Sequence, residues 1–193
     1  SGAMLIQWRE GGRPGQASMQ DEILGSAYGG GKGYDGCSAV ATHLSNLHNT
    51  PIEILESEFP CRITGFELVP DSAGPGTNRG GLSFRRTYKL LQDATVVRRA
   101  DRAKCPPKGL AGGKDGMASK FVIHAGAPEE REVSPMGRYE MKNGESFYLQ
   151  SPGGGGYGDP ARRDRANLAR EIRNGVISAE AAKTDYGYEE SDS

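Results

Sequence analysis

Apolar and polar residues alternate in six short segments of the chain, and this spacing is typical of half-buried β-strands. Each segment is six to ten residues long and has Gly, Pro, Asn or Asp at one end or both. They are PIEILE (51–56), CRITGFELVP (61–70), LSFRRTYKLL (82–91), DATVVRRA (93–100), SKFVIHA (119–125) and ESFYLQSP (145–152). The pattern therefore predicts six or seven strands. On the strand interpretation of the first segment, one or two of Glu53, Glu56 and Glu58 form a solvated face.

After Pro160 the spacing of apolar residues changes to a helical one. Ala166, Leu168, Ala169 and Ile172 recur near the helical period, and Asn174-Gly175 is a C-terminal cap signal. Ser178 is a suitable N-cap for a second helix that Gly187 would end. The acidic sequence YEESDS (188–193) is expected to be a frayed tail. The predicted fold is mainly β, a sandwich- or barrel-like body with a C-terminal helical pair (α+β).

Glycine and proline divide the rest of the chain into loops. There are 29 Gly and 11 Pro among 193 residues, which suits short strands joined by tight turns. Ser1 to Met4 resembles a protease-cleavage scar, and LIQW leads into a glycine-rich loop. We therefore divide the chain into a partly irregular segment 1–28, a β-rich domain 29–160, helices 161–187 and a tail 188–193.

Net charge and cysteine content exclude several classes of protein. A formal charge of -1 and a pI near 6.3 provide no bulk attraction to nucleic acid or anionic lipid. No segment approaches the roughly 20 apolar residues of a membrane span. Cys37, Cys61 and Cys105 form no CxxC pair, so neither a disulfide framework nor a structural zinc site is indicated. We expect a cytoplasmic protein that binds neither nucleic acid nor membrane.

Two segments match G-x-G-x-x-G by letter, GKGYDG (31–36) and GGGGYG (153–158). A dinucleotide-binding loop requires a second parallel strand after the helix that follows, and the chain offers none. The alternative is structural, with glycines taking positive φ in a tight crossing before the helix. We favour the structural alternative for both segments.

The segment 42–60 concentrates groups that suit a polar site. His43 and His48 are five residues apart, which places them on different faces of a helix or strand, so the pair alone makes no metal site. His43 could join ligands from elsewhere, with Asp35 near in sequence. Alternatively, His43 and Asn46 hydrogen-bond the backbone of a loop. Lys32, Lys114 and the arginines of RRADRAK (98–104) are open to two interpretations as well, anion binding or solvated surface.

Four blocks of sequence, taken in order, resemble the C-terminal part of the B-type subunit of the hydantoinase B/5-oxoprolinase family. The first is H-x-S-N-x-x-N-T-P-x-E-x-x-E within 43–56, and the second is D-S-x-G-x-G-x-x-R-G-G at 71–81. PPKGLAGGKDG (106–116) and NGESFYLQSPGGGGYGDP (143–160) follow, and the resemblance extends to VISAEAAKTDYG (176–187). It covers about 29–187 and includes the related acetone and acetophenone carboxylase subunits.

The resemblance implies a part of an ATP-dependent enzyme. An A-type partner subunit would use ATP to phosphorylate the oxygen of a lactam or hydantoin, because an amide is a poor electrophile until its oxygen becomes a leaving group. The B-type subunit would then complete ring opening, with a metal-held water as attacking group. Ketone carboxylation and a non-catalytic assembly role are the alternatives.

The resemblance also implies which residues form a site. Asp35, His43, Asn46 and Glu53 are expected in the catalytic region, with Asn49 and Arg79 contacting substrate. His43 and Asp35 are the expected ligands of a divalent metal, Zn or Mn, completed by residues of the missing part of the subunit. Arg79 has a structural alternative, an arginine that holds a long turn. His48 and His124 are given no catalytic role.

Overall fold

The computed structural model describes residues 2–8, 17–41 and 48–189. Within these residues the chain forms two antiparallel sheets, three α-helices and one 3₁₀ helix. The strands are β1 (Gly2–Trp8), β2 (Ser18–Leu24), β3 (Cys61–Leu68), β4 (Phe84–Leu90), β5 (Ala94–Ala100), β6 (Lys120–Ile123), β7 (Arg131–Glu132), β8 (Met136–Met141) and β9 (Ser146–Gln150). The helices are α1 (Ile52–Glu58), the 3₁₀ helix Pro160–Arg162, α2 (Arg165–Arg173) and α3 (Ala179–Tyr186).

The two sheets pack face to face as a sandwich. The first has the strand order β2-β1-β5-β8 and the second β3-β4-β9-β6-β7. Alternate residues of β1 and β4 point inward, as in any strand with one buried face. One apolar cluster unites both sheets, with members that include Met4, Ile6, Trp8, Val96, Tyr88, Phe121, Phe147 and Leu149. The predicted mainly β sandwich with a C-terminal helical pair is confirmed.

One ion pair lies inside the sandwich. Glu22 on β2 accepts hydrogen bonds from Arg86 Nη1 at 2.9 Å and from the Tyr88 hydroxyl at 2.6 Å, both on β4. Gln20 donates to the same carboxylate at 2.9 Å. A buried charge is tolerated only when it is paired and hydrogen-bonded, and Glu22 meets both conditions. The pair therefore links β2 of one sheet to β4 of the other.

The strand predicted at 51–56 is wrong, because residues Ile52–Glu58 form helix α1. Ile52, Leu55 and Phe59 also lie at helical spacing, so the short segment satisfies both periods. Leu55 is buried, and Glu56 binds the start of β3 through Arg62 and the backbone N–H of Ile63. The other five predicted strands correspond to β3, β4, β5, β6 and β9.

Four strands are absent from the prediction. β1 and β2 form a hairpin in the segment that we expected to be partly irregular. The inward face of β2 contains Gln20, Glu22 and Leu24, so two of its three buried side chains are polar. Apolar alternation cannot reveal such a strand. β7 and β8 lie in the segment between SKFVIHA and ESFYLQSP, where the sequence predicts no strand.

The C-terminal helices match the prediction closely. Asn174 caps α2 and Gly175 follows with a φ of 67°. Ser178 caps α3, its hydroxyl accepting from the N–H of Ala181, and Gly187 ends it in the left-handed conformation. The two helices share a small apolar cluster to which Tyr188 also belongs, so the first residue of the expected frayed tail is buried. None of the described helices has the length and apolarity needed to cross a membrane.

Candidate functional site

Four glycine-rich segments pack against each other by their backbones. We call them together the glycine-packed layer: 28–36, 72–81, 108–117 and 151–158. The last segment lies among the other three. Gly154 N–H donates to the carbonyl of Gly81 at 2.9 Å, Gly156 N–H to Lys114 at 2.9 Å, and Gly30 N–H to Gly155 at 2.9 Å. The layer therefore brings the 28–36 loop together with three of the sequence blocks that carry the family resemblance, those at 71–81, 106–116 and 143–160.

Close approach, and not positive φ, explains the glycine run. Among residues 153–158 only Gly158 has a positive φ, so the structural reason we gave for this run is wrong. A methyl group on Gly154 would overlap the carbonyl oxygen of Tyr28, which is rigid backbone. The N–H groups of Gly153, Gly154 and Gly156 are already bonded to carbonyls, so they are not free to cradle a phosphate. These contacts support the structural interpretation over a dinucleotide loop.

An ion-pair network fastens the glycine-packed layer to the C-terminal helices. We call it the Arg163 network: Asp35, Arg79, Arg163 and Glu171. Arg163 donates from Nη1 and Nη2 to the two oxygens of Asp35 at 2.9 and 2.8 Å. It also donates from Nε and Nη2 to Glu171 at 3.0 and 2.8 Å. A guanidinium fork suits two carboxylates at once, as lysine would not.

Arg79 completes the network. Its Nε donates to Glu171 at 2.7 Å, its Nη1 to the carbonyl of Gly80 at 2.8 Å, and its backbone N–H to Asp35 Oδ1 at 2.9 Å. The Arg79 side chain is 15% exposed and that of Arg163 only 3%. Two guanidinium groups and two carboxylates thus balance in charge, with Glu171 buried and the Asp35 side chain 36% exposed.

The network fixes the charge state of Asp35. Burial alone would raise the pKa of this carboxyl group, but the hydrogen bond and charge of Arg163, with the charge of Arg79, lower it below its ordinary value. Burial would likewise lower the pKa of Arg163, and its hydrogen bonds to Asp35 and Glu171 raise it instead. Asp35 is therefore a carboxylate at neutral pH and not a proton donor.

The structure brings together two of the six residues that we expected in a site. Asp35 and Arg79 meet in the Arg163 network, and the Arg79 contacts support the structural alternative left open by the sequence. Asn49 is exposed just before α1, and Glu53 is exposed in its first turn. His43 and Asn46 lie outside the described residues.

The described residues do not fit the expected metal centre. No group of three or more His, Cys, Asp and Glu side chains within 2–8, 17–41 and 48–189 is placed to hold a metal ion. Both oxygens of Asp35 accept hydrogen bonds from a guanidinium, whose positive charge opposes a metal at the same carboxylate. A metal bound here would need His43 and ligands from elsewhere.

An open cleft lies beside the Arg163 network. We call it the Lys32 cleft; it has a volume of about 590 Å³. Its lining comes from the 28–36 loop, the 72–81 and 108–117 segments, the end of the glycine run and the 3₁₀ helix. The lining residues are Lys32, Gly33, Thr77, Asn78, Ala111, Tyr157, Gly158, Asp159 and Arg162.

Sequence reasoning did not identify Arg163, Glu171 or Asn78 as part of a site. Arg163 and Glu171 lie in a region of mixed charge that resembles a solvated helix surface, and yet both are buried. One signal was available. Glu171 lies three residues after Leu168 and so on the same side of α2, and a charge beside an apolar residue in that position suggests a buried partner.

Comparison with known proteins agrees with this architecture. A family model described as Hydantoinase B/oxoprolinase matches residues 2–160. The B-type subunit of a putative D-/L-hydantoinase from Pseudomonas sp. (strain NS671) is 33% identical over 174 residues, which cover 89% of this chain and 29% of the relative.

Two solved structures share the fold. The ATP-dependent caprolactamase of Pseudomonas jessenii is 27% identical with a TM-score of 0.82, over 96% of this chain and 33% of that one. A nucleotide-free acetone carboxylase gives a TM-score of 0.80 at 19% identity, over 97% of this chain and 29% of that one, which shows the fold alone. The chain spans about a third or less of each of these proteins. It belongs to the Hydantoinase B/oxoprolinase family.

Proposed function

We propose that this chain is the C-terminal part, or a small subunit, of an ATP-dependent amidohydrolase that opens a lactam or hydantoin ring. The observation that carries the proposal is the glycine-packed layer, in which the family-like segments 72–81, 108–117 and 151–158 pack together and line one cleft. Function resides in sites more than in folds, and a cleft lined by all three segments supports a site at this position.

The chemistry divides between this chain and its partners. An A-type subunit phosphorylates the ring carbonyl oxygen with ATP and releases ADP. Water then adds to the activated carbon, the ring C–N bond breaks to release the amine, and a second water converts the acyl phosphate to carboxylate and inorganic phosphate. This chain and the rest of a B-type subunit form the site at which the ring opens.

Roles in this proposal follow from the contacts of each residue. Asp35 and Arg79 are positioning residues, since their charged groups are already paired within the Arg163 network. Asn46, Asn49 and Glu53 remain candidates for contact with substrate or with the rest of the subunit. His43 is the residue of this chain that we assign to a shared site for a divalent metal, Zn or Mn.

Reconstitution tests the proposed activity. The chain is co-expressed with an A-type subunit and the remaining B-type part, and ADP release and ring opening are measured with 5-oxoproline, hydantoin and caprolactam. We expect ADP release that requires both the cyclic amide and this chain. An assembly that forms with this chain but hydrolyses none of these amides would favour the scaffold role.

Replacing His43 tests the metal assignment in the same assembly. His43→Ala should lower both the metal content, measured by mass spectrometry, and the turnover. His48→Ala is the matched control, because His48 is an exposed histidine nearby to which we assign no role. Unchanged metal content and turnover in His43→Ala would remove His43 from the site.

The carboxylase alternative has weaker support. The chain resembles acetone carboxylase in fold, at 19% sequence identity, whereas it is 33% identical to the hydantoinase relative. Ring opening of a cyclic amide is therefore the function that we propose.

A further inference from the structure

The Lys32 cleft contains hydrogen-bond donors without acceptors. Within the described part of the chain, Lys32 Nζ forms neither a hydrogen bond nor an ion pair, and Arg162 has a single ion pair, Nε to Asp159 Oδ2 at 4.0 Å. Both cations line the same cleft. Two cations with free donors that face one cavity are suited to a bound anion.

The position of Lys32 is fixed by its turn. Gly31 and Tyr34 exchange backbone hydrogen bonds of 3.0 and 3.2 Å, so Lys32 and Gly33 are the two central residues of a tight turn. Gly33 has a φ of 87°, which glycine adopts without strain. The N–H of Gly33 donates to Asn78 Oδ1 at 3.1 Å. This bond ties the turn to the wall of the cleft and so fixes the backbone that carries Lys32.

The same bond makes Asn78 a donor toward the cleft. Because its Oδ1 accepts from Gly33, its remaining polar atom is the Nδ2 amide, which can only donate. Thr77 is committed elsewhere, since its hydroxyl donates to the carbonyl of Asp159 at 2.7 Å.

The single carboxylate of the lining is also committed. Asp159 Oδ1 accepts from the N–H of Ala161 at 3.0 Å and so caps the 3₁₀ helix, while Oδ2 faces Arg162. Lys32 and Arg162 together outweigh it by one positive charge. The lining therefore favours an acceptor with negative charge over a cation or a neutral donor.

We propose that the Lys32 cleft binds an oxyanion, the carboxylate or phosphate group of a small molecule. Lys32 and Arg162 supply the positive charge and Asn78 Nδ2 supplies an oriented hydrogen bond. A volume of about 590 Å³ accommodates a small organic molecule attached to that group. Only the identity of that molecule, as substrate or phosphorylated intermediate, rests on the proposed function.

The test is an NMR titration of the 193-residue chain. Inorganic phosphate and, separately, acetate are added at constant ionic strength, and the backbone amide shifts are followed. We expect saturable shifts at Gly33, Asn78 and Gly158. In Lys32→Gln and Arg162→Gln the dissociation constant should rise about fivefold, as for the loss of one exposed charge pair.

Two further variants make the result decisive. Asn78→Asp keeps the acceptor for Gly33 but replaces the donor by a negative charge, so it should abolish saturable binding. Lys104→Gln removes the same charge as Lys32→Gln from an exposed position outside the cleft, and should bind as the unaltered chain does.

Saturation by phosphate alone would assign a phosphoryl group to the cleft, and saturation by acetate alone a carboxylate. Shifts that stay linear with both anions, or equal weakening by Lys104→Gln and Lys32→Gln, would overturn the proposal. The titration needs neither ATP nor a partner. Its failure would therefore leave the ring-opening assay unaffected, and failure of that assay would leave the anion site standing.

Discussion

Arg163 donates two parallel hydrogen bonds to Asp35, Nη1 to Oδ1 at 2.9 Å and Nη2 to Oδ2 at 2.8 Å, across a sequence separation of 128 residues. Through this contact the C-terminal helices hold the 28–36 loop, which carries Lys32 into the cleft. Lys114 and Asp185 add a second tie between the glycine-packed layer and α3, at 2.8 Å. The helical pair is therefore part of the site's support.

Removing the central guanidinium should destabilise the fold. Arg163→Gln leaves the buried Glu171 with one cationic partner in place of two, and loss of hydrogen bonding to a charged group typically costs about 1.5–3 kcal/mol. Urea unfolding should show this decrease in the free energy of unfolding. Arg173→Gln, an exposed position on the same helix, should change it by no more than about 0.5 kcal/mol. Equal effects of the two variants would contradict the role of the network.

Because the glycine run is closely packed, we expect one added methyl group to destabilise the fold more than Arg163→Gln does. In Gly154→Ala the new Cβ overlaps the Tyr28 carbonyl and lies 3.0 Å from the Gly81 nitrogen, and backbone atoms cannot move aside. We expect loss of soluble folded protein, measured by circular dichroism and gel filtration. Gly29→Ala, whose Cβ would meet the Gly155 oxygen at 3.4 Å, should remain folded. A folded Gly154→Ala protein with unchanged Tm would refute the packing argument.

The lowered pKa of Asp35 predicts an acid-sensitive contribution to stability. Its pKa is lower in the folded chain than the ordinary 3.8, so ionised Asp35 stabilises the fold at neutral pH, and this contribution is lost as the pH falls below 3.8 through the folded value. Asp35→Asn should lower the Tm at pH 7, and the difference from the unaltered chain should shrink in strong acid. Asp101→Asn, an exposed control, should show no such convergence.

The three cysteines should differ in reactivity. Burial, followed by the charge of Glu22, raises the pKa of the Cys61 thiol to about 12, whereas Cys37 and Cys105 are exposed. At pH 8 a thiol reagent such as dithionitrobenzoate should label two thiols rapidly and the third only after unfolding. Cys61→Ala should retain both rapid reactions. Rapid labelling of all three thiols in the folded chain would show that the sandwich does not protect Cys61.

Local signals in the sequence predict the elements whose apolar side chains face the core. The caps of α2 and α3 are local too, and Ser178 and Gly187 act as their sequence suggests. The sequence predicts a strand where α1 lies, because a segment of six residues is too short to distinguish the two-residue period of a strand from the 3.6-residue period of a helix. β2 was missed because its inward face carries Gln20 and Glu22, which no hydrophobic pattern reveals.

The candidate site was less predictable than the fold, because its contacts are distant in sequence. Asp35 and Arg79 were named by resemblance, but their partners Arg163 and Glu171 lie 128 and 92 residues away. The one local signal, a charge on the apolar side of α2, does not identify the residue with which Glu171 pairs. The glycine run at 153–158 indicates that another part of the chain packs closely there. It does not indicate which part, and the carbonyl groups in contact come from three other segments. Only a three-dimensional arrangement identifies them.

The glycine-packed layer has a dynamic consequence. Its amides from Gly153 to Tyr157 lie outside every named strand and helix, yet Gly153, Gly154, Gly156 and Tyr157 each donate to a carbonyl of another segment, and residues 151–156 are buried. These amide hydrogens can exchange with solvent only when segment 151–158 separates from segments 72–81 and 108–117. Deuterium should therefore replace them as slowly as it replaces those of the central strands, so that a stretch outside regular secondary structure would be as stable to local opening as the strands of the core.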